Sequence, residues 1–365
     1  MSIDGLTPTE GGTIKPLYVD RDILYASQGL EVFTSHDGGK HYEPFATCPG
    51  LPGERWISQS RLIERFGRLG VHDLRALSEG GAVAVLRRRI VWCASGDRQF
   101  REVLRIQRGS RPLNICLTSA GYIYFGEYFS NPDRQSVHVY GSEDGKHWSV
   151  VHTFPTGSIR HVHNVVEDAY REGLWVLTGD TDQESGLWFT NDNFQTLDRV
   201  VGGTQRARAV SLIPLEDGLI VPTDTPHEQN YIQHCDPSTG QLEMLAPIPN
   251  SAFHAVEKDD LMLISTVAEP STFNNTAAAM VFGSLDGESW HRLTVFPRDW
   301  KRIRERSRFI DRVIRHPELK LVPGPNETDV VFGTGVGLQD IDGRLVWWER
   351  SEIRKAIEMG RLSIT

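Results

Sequence analysis

The stretch RHVHNV, residues 160–165, holds two histidines separated by one valine, His161 and His163, with Arg160 before them and Asn164 after. Residues two apart on a β-strand project to the same face, so an extended segment turns both imidazoles toward one space. Imidazole changes charge near neutral pH, which suits one ring to act as general base or acid. Two imidazoles at alternate positions, with a facing carboxylate, also match the needs of a divalent metal. The third use is structural, with both rings hydrogen-bonded beneath loops. The pattern leaves all three open.

Other polar groups recur at comparable places. Segment GVHDLRA carries His72 and Arg75, RPLNICL carries Arg111 and Asn114, and TQRARAV carries Gln205, Arg206 and Arg208. SAFHAVE carries His254, and SRFIDRV carries Arg308, Asp311 and Arg312. Paired arginines such as Arg206 and Arg208 suit a carboxylate, which they grip with parallel hydrogen bonds. A second set follows apolar runs: Glu127 and Tyr128; Asp180, Asp182 and Glu184; Asp224, His227, Glu228 and Asn230; Glu269. Packing alone favours Val, Ile, Ala and Gly at inner strands, so polar groups there must be hydrogen-bonded or solvated. A repeated Asp after an apolar run, as at Asp180 and Asp224, also serves simply to cap a loop.

Repeats supply the elements that would position these residues. TSHDGGKHY, GSEDGKHW, TNDNFQTL and GSLDGESW share a small residue, an Asp, a turn and an aromatic or Leu. ASGDRQF, HCDPSTGQL and DIDGRLVW are weaker copies. The aligned aspartates are Asp37, Asp97, Asp144, Asp192, Asp236, Asp286 and Asp342, separated by 44 (Asp192 to Asp236) to 60 residues (Asp37 to Asp97). Asp and Gly provide the side-chain hydrogen bond and positive φ of a tight hairpin. Apolar strand-like runs flank each copy, four per unit, and a repeat of this length points to propeller blades. The expected fold is an all-β propeller of four-stranded antiparallel blades, with seven blades favoured because seven units can be drawn, and six the alternative because the last copy is degenerate. Residues 1–365 then form one domain, with helical insertions near 58–69, 298–314 and 351–362. In such a ring the inner-strand starts and the ends of the second strands share a mouth. The Asp turns lie opposite it, so the polar residues above would line a central funnel.

Composition narrows the partners. The net charge of −9 argues against nucleic acid. No apolar run is long enough to span a membrane, and the first twenty residues lack the features of a signal peptide. Cys48, Cys93, Cys116 and Cys235 are widely spaced. Reduced, buried thiols in a cytoplasmic protein are the expectation. The composition does not fix the oligomeric state.

The turns at 35–42, 142–148 and 284–290 resemble the Asp-box, or BNR, repeats of the sialidase-like β-propeller superfamily. The stretch from GEYFSN through RHVHNV to WVLTGDTDQESGLW is similar to bacterial BNR proteins described as glycosyl hydrolases, and the likeness extends over about residues 20–350. The chain has no F/Y-R-I-P motif, so no catalytic residue is transferred from the sialidases. The resemblance implies a carbohydrate-active enzyme cleaving a glycosidic bond, here in an acidic oligosaccharide or sugar conjugate. Within that expectation His161, His163, Asp180, Glu127 and Tyr128 are the catalytic candidates. Arg160, Arg206, Arg208, His72, His254, Asp224 and Glu269 are the substrate-binding candidates. A lyase acting by β-elimination on a uronate is the first alternative. A metal-dependent hydrolase or lactonase using His161 and His163 as ligands is another, with a divalent metal as its possible cofactor. A non-catalytic binding propeller is the remaining one.

Overall fold

The computed structural model describes residues 6–50, 54, 69–268, 271–274, 276–299 and 317–362. Among the described residues, twenty-eight strands form seven four-stranded antiparallel sheets, the blade pattern of a seven-bladed β-propeller. We number the sheets 1 to 7 along the chain. Residues 73–248 make one compact unit, holding sheets 2 to 5. Residues 1–72 and 249–365 make the other, holding sheets 1, 6 and 7.

Each sheet is a meander with its strands in chain order, apart from sheet 7. There Glu318–Leu321, Val330–Val336 and Leu345–Glu349 are joined by the N-terminal strand Thr9–Glu10, which pairs with Trp347 and Val346. The fourth strand of the last sheet therefore comes from the other end of the chain. This is why that unit looked degenerate in sequence.

Burial follows strand position. Second strands such as Ala82–Leu86, Leu219–Pro222 and Leu261–Thr266 are buried at every residue. Such strands are covered on both faces and so read as continuous apolar runs. Fourth strands such as Arg101–Arg105 are mostly exposed. Between sheets 3 and 4 the core is built from Val137, Val139, Phe154, Ile159, Val162, Val165 and Val176. Between sheets 4 and 5 it is built from Trp175, Leu177, Leu187, Leu219 and Val221.

The Asp turns join third to fourth strands. Asp144 accepts from the amides of Lys146 and His147 (both 2.8 Å), and Trp148 Nε1 donates to Gly145 O (3.0 Å). Asp286, with Trp290, repeats this set. Asp37 and Asp192 also accept backbone amides across their turns. Asp342 does not belong to the series. It lies between the second and third strands of sheet 7, where it accepts from the amide of Gly337 (2.7 Å).

The C-terminal helix occupies Arg350–Leu362, and Ile353, Ala356 and Ile357 enter the core of its unit. The segments 58–69 and 298–314, expected as helices, fall almost wholly outside the described residues. The first strand of sheet 7 is Glu318–Leu321, not SRFIDRV. Arg308, Asp311 and Arg312 lie outside the described residues, as does Glu269.

Candidate active site

His161 stands just before the first strand of sheet 4, Val162–Asp168, and His163 lies inside it. The alternation assumed for a regular strand fails here. Val162 pairs with Thr178 and Asn164 with Leu177, so His163 is the extra residue of a β-bulge. Bulges re-aim side chains. The two rings still meet, with centroids 5.1 Å apart, and both are buried at 5 % and 3 % exposure.

Backbone carbonyls orient both rings. His161 Nδ1 lies 3.2 Å from Phe129 O, and His163 Nδ1 lies 2.9 Å from Ala209 O. A carbonyl only accepts, so each Nδ1 carries the hydrogen, and in the neutral ring Nε2 keeps its lone pair. Both Nε2 atoms face Asp180 Oδ1, at 3.4 Å from His161 and 3.8 Å from His163.

Asp180 follows the second strand, Gly173–Thr178, at a backbone φ of 118°. That conformation is costly for a residue with a Cβ and persists only where the surroundings enforce it. The surroundings here are two arginines. Arg160 Nη1 donates to Asp180 Oδ2 (2.7 Å), and Arg208 Nη1 donates to the Asp180 carbonyl (3.0 Å). Arg208 Nη2 also lies 3.4 Å from Asp180 Oδ1, and its Nε reaches Asp224 Oδ2 at 3.4 Å. Gln205 Nε2 adds a bond to the Asp180 carbonyl (3.1 Å).

Burial alone would raise the Asp180 carboxyl. In their cationic forms, with a hydrogen on Nε2, His161 and His163 more than offset that and hold it well below the ordinary carboxylate range. Burial pushes His161 down, against the opposing pull of Asp180. At neutral pH the site therefore holds an ionised carboxylate beside a neutral His161. Tyr128, half-buried, lies with its ring centroid 4.2 Å from that of His161.

The other expected residues separate into groups. Asp224 joins the cluster through Arg208 and is buried. Arg206 does not pair with Arg208. Gln205–Ala207 is a 3-10 turn rather than strand, which leaves Arg206 exposed and breaks the alternation. Glu127 is buried, its carboxylate bound by Arg108 and by the amide of His138 (2.9 Å). That engagement ties Glu127 to the loop carrying Arg108. Arg75 is likewise engaged, with Asp73 and the carbonyls of Leu74 and Ile115. His72 is buried in the unit of sheets 1, 6 and 7. In the same unit His254 Nε2 lies 3.2 Å from Glu318 Oε2.

Sequence reasoning missed Arg108 and the two orienting carbonyls. Carbonyl partners leave no trace in residue type. It also missed Gly179, where a Cβ would lie 2.4 Å from His163 Cε1 and 3.0 Å from Arg208 Cγ. Gly179→Ala must therefore displace the ring or the arginine. We expect it to cost about 1–3 kcal/mol in urea-unfolding stability and to weaken any activity of the site more than a surface alanine substitution does. A stability loss below about 0.5 kcal/mol, the scale of a surface substitution, would contradict the tight fit.

No family model matches the chain, and no curated protein sequence matches it. Solved structures share its fold. A chain of the Mitotic Checkpoint Complex aligns with a TM-score of 0.58 at 9 % identity, covering 96 % of this chain and 97 % of that one. YCF48 from Cyanidioschyzon merolae aligns at 0.53 and 12 % identity, covering 95 % and 98 %. An ancestral GH74 enzyme aligns at 0.55 and 11 % identity, covering 93 % of this chain but 45 % of its own length. At such identity the likeness is one of fold, and function has to be argued from the site.

Proposed function

We propose that this protein is an enzyme that breaks a glycosidic bond in a carboxylate-bearing saccharide at the His161–His163–Asp180 site, by β-elimination. The Ser/Thr-x-Asp turns support a place among the Asp-box propellers. The observation that carries the reading is the gathering of Arg160, Arg208, two carbonyl-oriented imidazoles and Tyr128 around one carboxylate.

Hydrolysis with paired carboxylates needs one of them to be a protonated acid and the other a free base or nucleophile. Three of the candidate carboxylates are held in ion pairs, Asp180 with Arg160, Asp224 with Arg208, and Glu127 with Arg108, while exposed Asp182 accepts from Gln205 Nε2 (2.9 Å). Elimination makes a different demand. A base takes the proton α to the uronate carboxylate, and the electrons form a C=C bond as the C–O bond to the leaving sugar breaks. A cation must stabilise the carboxylate as charge builds on it, and an acid must protonate the leaving oxygen. His161, neutral at pH 7, and Tyr128 are the proton-moving groups. Arg160, 35 % exposed at its side chain, is the accessible cation, and exposed Arg206 adds charge to the same segment as Arg208. Four free, buried cysteines support the expectation of a cytoplasmic protein acting on short saccharides.

The test is a panel of acidic oligosaccharides, followed both by new reducing ends and by ultraviolet absorbance of the unsaturated product. Elimination predicts that both signals rise together, and that Tyr128→Phe and His161→Ala each slow them about 10²-fold or more. Reducing ends without absorbance would mean hydrolysis. Saturable binding without turnover would mean a binding propeller.

A further inference from the structure

We propose that His161 Nε2, His163 Nε2 and Asp180 Oδ1 form a binding site for a divalent transition-metal ion, with further coordination positions left for substrate or water. The argument begins with a deficit of hydrogens. Each Nδ1–H is donated to a main-chain carbonyl, Phe129 O or Ala209 O. Each Nε2 therefore offers a lone pair, and Asp180 offers a third. These three atoms lie within 4.8 Å of one another, and they are acceptors only. His161 Nε2 is buried and has no hydrogen-bond partner among the described residues, while its ring is 5 % exposed and directed into this space. Buried acceptors facing one another repel unless a proton or a cation sits between them.

The dimensions come close to those of a cation site, with one separation in the tetrahedral range and one slightly beyond it. Metal–ligand bonds of about 2.0–2.2 Å at a tetrahedral angle place ligand atoms roughly 3.3–3.6 Å apart. The imidazole-to-carboxylate separations here are 3.4 and 3.8 Å. Carbonyls accepting the distal N–H are the outer partners that usually fix a ligating histidine. Arg160 engages Oδ2, while Oδ1 faces both imidazoles and also lies 3.4 Å from Arg208 Nη2, a contact that a bound ion must share or displace. Two imidazoles and one carboxylate select a borderline metal such as zinc over calcium or magnesium, which prefer all-oxygen sites, with harder manganese as the intermediate case.

Charge gives the ion a purpose. Asp180 and Asp224 cancel Arg160 and Arg208, so the inner cluster is formally neutral. A divalent ion makes it cationic, which a carboxylate-bearing substrate needs. The inference rests on the proposed function and refines it: with metal bound, His161 is a ligand and Tyr128 is left to move the proton. It is testable without substrate.

The experiment is titration of the EDTA-treated, dialysed protein with Zn²⁺ and with Mn²⁺ by calorimetry, together with thermal melting with and without each metal. We expect one site per chain with micromolar or tighter affinity for at least one metal. A His161→Gln/His163→Gln variant should lose at least 100-fold in affinity and lose the metal-induced rise in melting temperature. Asp180→Asn should lose at least tenfold. His41→Ala/His147→Ala, which removes two exposed turn histidines, should leave that affinity unchanged. Equal affinities in wild type and the folded His161/His163 variant, or no binding of either metal by wild type, would overturn the site. A metal-binding protein silent on every saccharide would overturn the proposed function and leave the site standing.

Discussion

Asp180→Asn is expected to lower turnover by about 10²-fold or more while leaving a folded protein. The carboxylate is the point on which Arg160, Arg208 and both imidazoles converge. Asparagine has nearly the same shape but cannot hold two guanidinium groups by charge, so the arginines and rings lose their common reference. Asparagine also carries the same backbone burden as aspartate at the φ of 118° seen at position 180, so the substitution adds no new strain there. Asp180→Gly should likewise melt above Asp180→Ala, since glycine alone meets no Cβ penalty there. The Asp180 side chain is 18 % exposed, so water takes over part of the lost solvation, and the stability cost at neutral pH should stay within about 2 kcal/mol.

Acid separates charge from shape. The folded protein holds the Asp180 carboxyl below its ordinary value, so its contribution to stability is complete above the ordinary aspartate pKa of about 3.9 and fades as pH falls through the lower folded value. The urea midpoints of wild type and Asp180→Asn should therefore differ at pH 7 and converge in strong acid. Unchanged turnover in the variant would remove Asp180 from the mechanism. A gap that widens in acid would reverse the assignment of its charge state.

The fold was legible because its signals are local and repeated. An Asp that caps its own turn through neighbouring amides needs only a few adjacent residues, and Asp37, Asp144, Asp192 and Asp286 use them in that way. Asp342 carried the same letters without the role, since an Asp–Gly pair suits other tight turns too. The site was half legible. His161, His163, Asp180, Arg160, Arg208, Asp224 and Tyr128 do meet, because first-strand starts and second-strand ends share one end of a meander. The exact grouping was not readable. A bulge at His163 and a 3-10 turn at Gln205–Ala207 depend on long-range packing rather than on local pattern. The ion pair of Glu127 was unreadable for the same reason: its partner Arg108 comes from the preceding loop, 19 residues away.

The largest stability effect is expected at Asp168, at the far end of the strand that begins beside His161. Asp168→Ala should cost about 3 kcal/mol or more. The carboxylate has no exposed surface and accepts four hydrogen bonds: Trp175 Nε1 (2.8 Å), Arg171 Nη1 (2.9 Å) and the amides of Tyr170 and Arg171 (3.1 Å each). Its loss leaves the indole N–H of Trp175, a side chain 1 % exposed, without an acceptor in the core between sheets 4 and 5. Two turn amides lose their cap at the same time. Arg171 suffers least, being 21 % exposed and retaining the carbonyls of Leu215 and Glu216. That moderates the charge part of the loss but not the part borne by Trp175. Asp168→Asn keeps one acceptor oxygen and should recover part of the difference. Urea unfolding at neutral pH decides the matter, and a loss below about 1 kcal/mol, the net worth of a single neutral hydrogen bond, would show that water replaces the carboxylate. Because Asp168 sits a full strand length from the imidazoles, metal affinity measured well below the melting temperature should be unchanged in both variants. This separates loss of fold from loss of site in every substitution proposed for His161, His163 and Asp180.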